Sequence, residues 1–279
     1  MSVLEKLRDK KRFLTRLVII LSLILTTLII VLLVLFRVNA PENAPQETTA
    51  APSTAPTLAT NPFSAADFAL KDGYMTCLTD DWTSGIDVAE FQGEIDWQQV
   101  KQAGFDFVFI RVGGRGWGEE GKLYSDTMAQ KYYKDAKAAG LKVGAYFFSQ
   151  ATTPEEAKQE AAYALKETAH WELDLPIAYD WEYISEDART ANMDSRTLTD
   201  CIIAFCETVK AGNRQPLLYT NPSQAGVGVY LEELEQYGTW IALYSEEMTY
   251  PYPFDFWQYT KEGSVPGINT VVDINLALT

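Results

Sequence analysis

The sequence predicts an α/β protein whose main domain is an irregular TIM-like (β/α)5(β)3 barrel, with five βα units followed by three strands. Short apolar runs alternate with amphipathic stretches from residue 85 onward, which is typical of a parallel sheet with crossover helices. There are eight such runs, and eight strands favour closure into a barrel. The last three runs follow one another too closely for crossover helices, which makes the barrel incomplete.

The elements follow from local patterns along the chain. The predicted strands are 85–89, 105–112, 142–148, 176–181, 216–220, 239–244, 256–259 and 270–274. The first five are followed by predicted helices at 96–103, 125–139, 154–171, 195–211 and 223–237. Pro154 suits a first helical position with Thr152 or Thr153 as its cap. Gly140 and Gly212 stand where two helices are expected to end.

An uncharged apolar segment at residues 17–36 precedes this domain. Its twenty residues match the thickness of a bilayer at the rise of a helix. We predict a retained transmembrane signal-anchor helix at 17–37, preceded by a short cytoplasmic basic segment at 1–16. A cleaved signal peptide is the alternative, but its apolar region is usually shorter and ends at a small-residue cleavage site. The basic residues before the segment place the remainder outside the cytoplasm, at the cell membrane of a bacterium.

The region between the anchor and the barrel is predicted to be a disordered linker at 38–80, with the catalytic barrel at 81–279. Residues 39–61 are rich in Pro, Thr and Ala and lack apolar periodicity. Such a composition cannot bury a core and is typical of a semi-extended spacer.

Charge excludes some classes of partner. The chain has 23 basic and 38 acidic residues. Seven of the basic and two of the acidic residues lie in the first 37 residues, so the rest of the chain has 16 basic and 36 acidic residues. A domain this acidic is not expected to bind nucleic acid through a basic patch.

The chain has one histidine, His170, which argues against Ser-His-Asp, Cys-His and multi-histidine zinc hydrolases. No metal or cofactor is predicted.

Four acidic side chains are predicted to meet at one end of the barrel. Asp180 and Glu182 end the fourth strand two residues apart, so both point to the same face. Asp87 ends the first strand and Asp273 the last, and these strands are neighbours in a closed barrel. Such a cluster is costly in a structural role and suits an acid catalyst. Taken singly, a strand-end Asp such as Asp87 or Asp273 is usually a turn or cap residue.

Aromatic residues also fall at or near strand ends, where sugar rings stack on exposed aromatic faces. Core packing is the alternative explanation for many of them. They are Tyr146, Tyr219, Trp240, Tyr244, Trp257 and Tyr259.

Several ordered motifs resemble glycoside hydrolase family 25, the muramidases that cut the glycan of bacterial peptidoglycan. The motifs are GIDVAEFQGEIDW at 85–97, GAYFF at 144–148, AYDWEY at 178–183, LLYTN at 217–221, WIALY at 240–244, DFWQYT at 255–260 and GINTVVDIN at 267–275. None is decisive alone, but the order of all seven is specific. A departure is the bulky Trp181 between the two central acids.

The resemblance implies a role for each site residue. Glu182 would be the general acid/base, and Asp180 would stabilise charge by orienting the substrate's own acetamido group. Asp87 and Asp273 would position the substrate or tune the pKa of Glu182. Substrate-binding residues would be Tyr146, Tyr219, Trp257, Gln258 and Tyr259.

The apolar segment predicts a membrane-tethered protein, and the resemblance implies that it is an enzyme that cleaves the β-1,4 bond between N-acetylmuramic acid and N-acetylglucosamine. Its partners would be peptidoglycan glycan strands and the membrane, in wall remodelling or in opening the wall for an assembly of unknown composition. Two alternatives remain open: a non-catalytic glycan-binding module on a stalk, and a related glycosidase of chitin-like polymers.

Overall fold

The computed structural model describes residues 58–278, without the side chains of residues 226 and 227. In chain order its strands are β1 (Phe68–Lys71), β2 (Tyr74–Cys77), β3 (Trp82–Val88), β4 (Phe105–Arg115), β5 (Leu123–Ser125), β6 (Lys142–Ser149), β7 (Ile177–Trp181), β8 (Pro216–Thr220), β9 (Thr239–Ala242), β10 (Phe256–Gly263) and β11 (Val272–Leu278). The helices are α1 (Trp97–Gln102), α2 (Ala129–Ala138), α3 (Pro154–Glu167), α4 (Ser195–Ala211) and α5 (Pro222–Val227).

Eight of these strands form a closed barrel, in the order β3, β4, β6, β7, β8, β9, β10 and β11, with β11 pairing back to β3. Neighbours from β3 through to β10 are parallel. The last strand, β11, is antiparallel to both of its neighbours. The predicted barrel of five βα units and three further strands is therefore confirmed. The last strand is Val272–Leu278 rather than 270–274, which places Asp273 at its beginning.

Side-chain caps explain where the main helices begin. Asp96 accepts hydrogen bonds from the backbone N–H groups of Gln98 and Gln99 at the start of α1, and Thr153 caps α3 ahead of Pro154.

The predicted helix 223–237 is wrong in its second half. Helix α5 ends at Val227, and two 3₁₀ turns, Leu231–Glu233 and Glu235–Tyr237, follow it. Glycines at 226 and 228 explain the break, because glycine is a poor helix former.

The barrel has a core on each side of its wall. Outside the strands, the helices bury a large apolar layer that includes Trp171, Phe205 and Phe147. Inside the strands, a smaller cluster is dominated by aromatic rings, with Phe109 stacked on Trp240 at 4.5 Å between ring centroids. This interior cluster fills the lower part of the barrel and supports whatever lies above it at the mouth.

Residues 68–77 correct the predicted linker. They form the β1–β2 hairpin, and Phe68, Met75 and Cys77 are buried in the outer core. The turn between the strands is Asp72-Gly73, both at positive φ, which is the pattern of a type I′ hairpin turn. The linker therefore does not extend to residue 80.

The predicted cytoplasmic segment and transmembrane helix, residues 1–37, lie outside the described residues, as do residues 38–57 of the predicted linker. Within residues 58–278, no helix is both long and apolar enough to cross a bilayer.

The hairpin's contribution to the core is testable with a pair of substitutions. Met75 is 1% exposed, whereas Leu70 on the other strand of the hairpin is 43% exposed. We expect Met75→Ala to lower the free energy of unfolding by about 2–5 kcal/mol, because it leaves a cavity in the core. Leu70→Ala is the control and is expected to change it by less than about 1 kcal/mol. Urea denaturation measures both, and equal small effects would show that the hairpin does not stabilise the barrel.

Candidate active site

A pocket of about 280 Å³ lies at the mouth of the barrel, where the parallel strands end. It contains all four predicted acids and a set of aromatic and polar side chains. Its lining residues are Asp87, Tyr146, Asp180, Glu182, Tyr219, Trp240, Tyr244, Gln258, Lys261 and Asp273. The structure thus brings the four acids together as the sequence predicted.

A larger cavity of about 940 Å³ lies at the opposite end of the barrel, which we call the base. Its walls include Pro216, Thr239 and Phe256, the first residues of three parallel strands. Catalytic groups in such barrels collect at the carboxyl ends of the strands. The acidic pocket at the mouth is therefore the candidate site, although it is smaller.

Asp87 and Asp273 form a carboxyl pair across the β3–β11 junction, where they are direct partners in the strand register. Burial raises the pKa of Asp87 to about 6, and hydrogen bonds from Asn275 and Gln258 limit that rise. Burial and the neighbouring charge of Asp87 raise the pKa of Asp273 to about 9. Between these values Asp273 keeps its proton and donates it in a hydrogen bond to the Asp87 carboxylate.

Asp180 is a buried acid with one oxygen that lacks a hydrogen-bond donor within residues 58–278. It is 6% exposed, and its Oδ1 has no hydrogen-bond partner among the described residues. Burial, followed by the charges of Glu182 and Asp87, raises its pKa well above the usual range. A buried oxygen without a donor can accept a hydrogen bond from a bound molecule, and that bond would favour the ionised form of Asp180.

Glu182 is the most exposed of the four acids, just beyond the end of β7. Partial burial raises its pKa, and the positive charge of Lys261 opposes the rise. A carboxylic acid that keeps its proton at higher pH and reaches solvent can transfer that proton to a bound molecule.

A chain of hydrogen bonds holds Asp87 in place. Gln258 Nε2 and Asn275 Nδ2 donate to Asp87 Oδ2 at 2.9 and 2.8 Å. The hydroxyl groups of Tyr219 and Tyr244 in turn donate to Gln258 Oε1. Trp240 Nε1 donates to Asn275 Oδ1 at 2.8 Å in the same way. Every amide in this chain therefore has its orientation fixed by a second partner.

Two glutamines fix the backbone that carries the central acids. Gln150 Nε2 donates to the carbonyl oxygen of Glu182 at 3.1 Å, and Thr190 donates to Gln150 Oε1. Gln224 Nε2 donates to the carbonyl oxygen of Trp181 at 3.4 Å. These bonds set the direction in which the chain leaves β7, and hence the position of Glu182.

The predicted substrate-binding residues divide into two groups. Tyr146, Tyr219 and Gln258 line the pocket as expected. Trp257 and Tyr259 do not, and their prediction is wrong: both are buried in the outer core, where their rings contact each other. Because side chains alternate along a strand, the neighbours of the inward-facing Gln258 must face outward.

Several pocket residues were not predicted. Trp240 and Tyr244 were noted only as strand-end aromatics, and Lys261 was missed. Asn275, which does not line the pocket but donates to Asp87, was missed as well. Asn275 stands two residues after Asp273 on β11, so strand alternation was a signal for it. Among the described residues, no group of three or more His, Cys, Asp or Glu side chains is arranged to hold a metal ion.

A closed barrel with four acidic groups at its mouth has the form of a carboxylate-based hydrolase of sugars. Residues 86–268 match the profile of Glycosyl hydrolases family 25, and the chain belongs to that family. It is 30% identical to Lysozyme M1 of Streptomyces globisporus and 28% identical to the Autolytic lysozyme of Clostridium acetobutylicum, each over 68% of this chain.

These matches span 66% and 54% of the two relatives' own lengths. Among solved structures, the bacterial lysozyme from Streptomyces coelicolor matches with a TM-score of 0.59 and 28% identity. That match covers 69% of this chain and 90% of the other.

The acid pair predicts how stability depends on pH. Because the pKa of Asp273 is raised in the folded protein, the folded state binds more protons than the unfolded state above pH 4, and stability falls as pH rises toward 9. We expect Asp273→Asn to raise the free energy of unfolding at pH 8 by roughly 0.5–2 kcal/mol. The asparagine amide can still donate to Asp87. Below pH 4 the difference should vanish.

The control is the exposed Asp187, for which Asp187→Asn should change the free energy of unfolding by less than about 0.5 kcal/mol. Denaturant titrations at pH 4, 6 and 8 measure both variants. A loss of stability in Asp273→Asn at pH 8 would contradict the assignment of the proton to Asp273.

Proposed function

We propose that this protein hydrolyses the β-1,4 bond between N-acetylmuramic acid and N-acetylglucosamine in peptidoglycan, with Glu182 as the general acid and base. The observation that carries the proposal is the contrast between Glu182 and Asp180. One acid is exposed at the mouth with a raised pKa, and the other is buried with an oxygen that lacks a donor. Membership of family 25 and the two lysozyme relatives support the choice of substrate.

In the first step the protonated Glu182 donates its proton to the glycosidic oxygen as the bond to the sugar's C1 breaks. The oxygen of the substrate's acetamido group attacks C1. The N–H of the same acetamido group donates a hydrogen bond to the unpartnered Oδ1 of Asp180. That hydrogen bond favours ionised Asp180, whose charge stabilises the cationic ring that forms. Participation of the acetamido group places the reaction outside the two ordinary carboxylate mechanisms.

In the second step water attacks C1, and the carboxylate of Glu182 takes the proton from that water. The ring that the acetamido oxygen formed with C1 opens, which restores the acetamido group and leaves Glu182 protonated again. Asp87 and Asp273 keep one proton between them at neutral pH. They therefore add one negative charge rather than two beside the reacting groups, and with Gln258 they offer a fixed polar wall to the sugar.

The catalytic proposal is tested by Glu182→Gln. The amide keeps the shape of the side chain but has no acidic proton, so we expect the rate of peptidoglycan cleavage to fall by about 10²–10⁴-fold with the fold intact. The matched control is Glu186→Gln in the same loop, which is exposed. New reducing ends and mass spectrometry of the products are the measurements. Binding of glycan by the wild type without new reducing ends would instead favour the non-catalytic module, and cleavage of chitin alone the related glycosidase.

We also propose that residues 17–37 anchor the protein in the cell membrane, with the barrel outside the cytoplasm. The supporting observations are the uncharged apolar run and the basic residues before it. The chain enters the barrel at the base, where Asn61 bonds to the backbone of Tyr250 and Pro251 ahead of β10. The first described residues, Leu58 and Ala59, therefore lie at the end of the barrel opposite the acidic pocket.

Cell fractionation tests the anchor. We expect the full chain in the membrane fraction and a variant lacking residues 17–36 in the soluble fraction, because a twenty-residue apolar helix is required for insertion. A variant lacking residues 40–56 is the control and should stay in the membrane. A soluble wild-type protein whose N-terminus begins near residue 40 would show a cleaved signal peptide instead.

A further inference from the structure

Lys261 is the one basic residue among those that line the acidic pocket. Its ammonium lies over the ring of Tyr244, 5.4 Å from the ring centroid. Tyr244 is itself held by the hydrogen bond from its hydroxyl to Gln258. Both Lys261 and Tyr244 are exposed, so the positive charge is held at the rim of the pocket, facing solvent.

The charge of Lys261 is not neutralised by an ion pair. Among the described residues, no carboxylate oxygen lies within 4.0 Å of its Nζ. Four acids share the pocket with it, and a lysine that served only to balance their charge would be expected to contact one of them. The ammonium instead keeps its hydrogen-bonding capacity for a molecule that enters the pocket.

We propose that Lys261 binds a carboxylate carried by the muramoyl substituent of the substrate and so selects muramic acid over plain N-acetylglucosamine. This inference rests on the proposed function. Of the two sugars in peptidoglycan, only muramic acid carries a lactyl group, whose carboxyl is either free or joined to a stem peptide that has carboxyl groups of its own. Chitin-like polymers have neither. If the free lactyl carboxylate is the ligand, an amide-cleaving reaction must first remove the peptide.

The position of Lys261 also links binding to proton transfer. Lys261 lies on β10 and shares the pocket with titratable groups from every other strand that reaches it. They are Asp87 on β3, Tyr146 on β6, Asp180 on β7, Glu182 just beyond β7, Tyr219 on β8, Tyr244 beyond β9 and Asp273 on β11. Lys261 is the cation that lowers the pKa of Glu182. Its removal should therefore shift the alkaline limb of the pH–rate profile to higher pH, which loss of a merely structural contact would not do.

Affinity measured in the Glu182→Gln background tests the proposal without requiring turnover. The ligands are glycan oligomers with stem peptides, the same oligomers with free lactyl carboxylates, and chitin oligomers. We expect the Glu182→Gln/Lys261→Met double variant to bind a carboxylate-bearing oligomer about two- to fivefold more weakly than Glu182→Gln alone at low salt. The difference should be smaller at high salt. Chitin binding should not change. Lys261→Arg should restore the affinity, and Lys134→Met, an exposed lysine on α2, is the control.

The outcomes separate the possibilities. An effect confined to peptide-free oligomers identifies the lactyl carboxylate, and an effect confined to peptide-bearing oligomers identifies the stem peptide. Equal effects on chitin, or no effect on any oligomer, overturn the role of Lys261 even if the wild type cleaves peptidoglycan. Absence of cleavage by the wild type overturns the proposed function, while the affinities still report on Lys261.

Discussion

The site depends on the antiparallel pairing of β11 with β3. This pairing closes the barrel and sets Asp273 directly opposite Asp87. If β11 ran parallel to its neighbours, its first residues would lie at the base and Asp273 would be a barrel's length from the other acids. A shift of one residue would be as damaging, because it would turn both Asp273 and Asn275 out of the barrel. The direction and register of one strand thus decide whether the acids meet.

Bringing four acids together is costly, and the structure limits the cost by giving each acid a different environment. Asp87 receives hydrogen bonds from two amides that are themselves fixed, and these bonds favour its ionised form. Asp273 holds a proton, and Asp180 lacks a donor on one oxygen and resists ionisation. Such differences in environment are how neighbouring carboxyl groups acquire separate roles. A substrate that donates a hydrogen bond to Asp180 Oδ1 would supply the donor that this oxygen lacks among the described residues.

Most of the barrel was predictable because its strands and helices repeat with clear periods, and the i, i+2 spacing was enough to place Asp180 and Glu182 on one face. The hairpin was missed although Asp72-Gly73 between short strands is a strong turn signal, because the Pro-rich composition before it dominated the interpretation. Trp257 and Tyr259 were assigned from resemblance, whereas strand alternation around Gln258 would have placed them outside. The direction of β11 could not be predicted, since it depends on how the sheet closes.

Lys261 could not be predicted for a different reason. The pairing of β10 with β11 is regular up to Gln258, and its register then shifts twice before Gly263. Bulges of this kind re-aim the side chains that follow them, so simple alternation fails there. The same strand therefore has two parts: a regular part whose Gln258 supports Asp87, and a bulged part that sets Lys261 at the rim. Substitutions beyond the bulge can alter what the rim binds while the hydrogen bonds to Asp87 stay in place, so substrate preference can change without loss of the acid cluster.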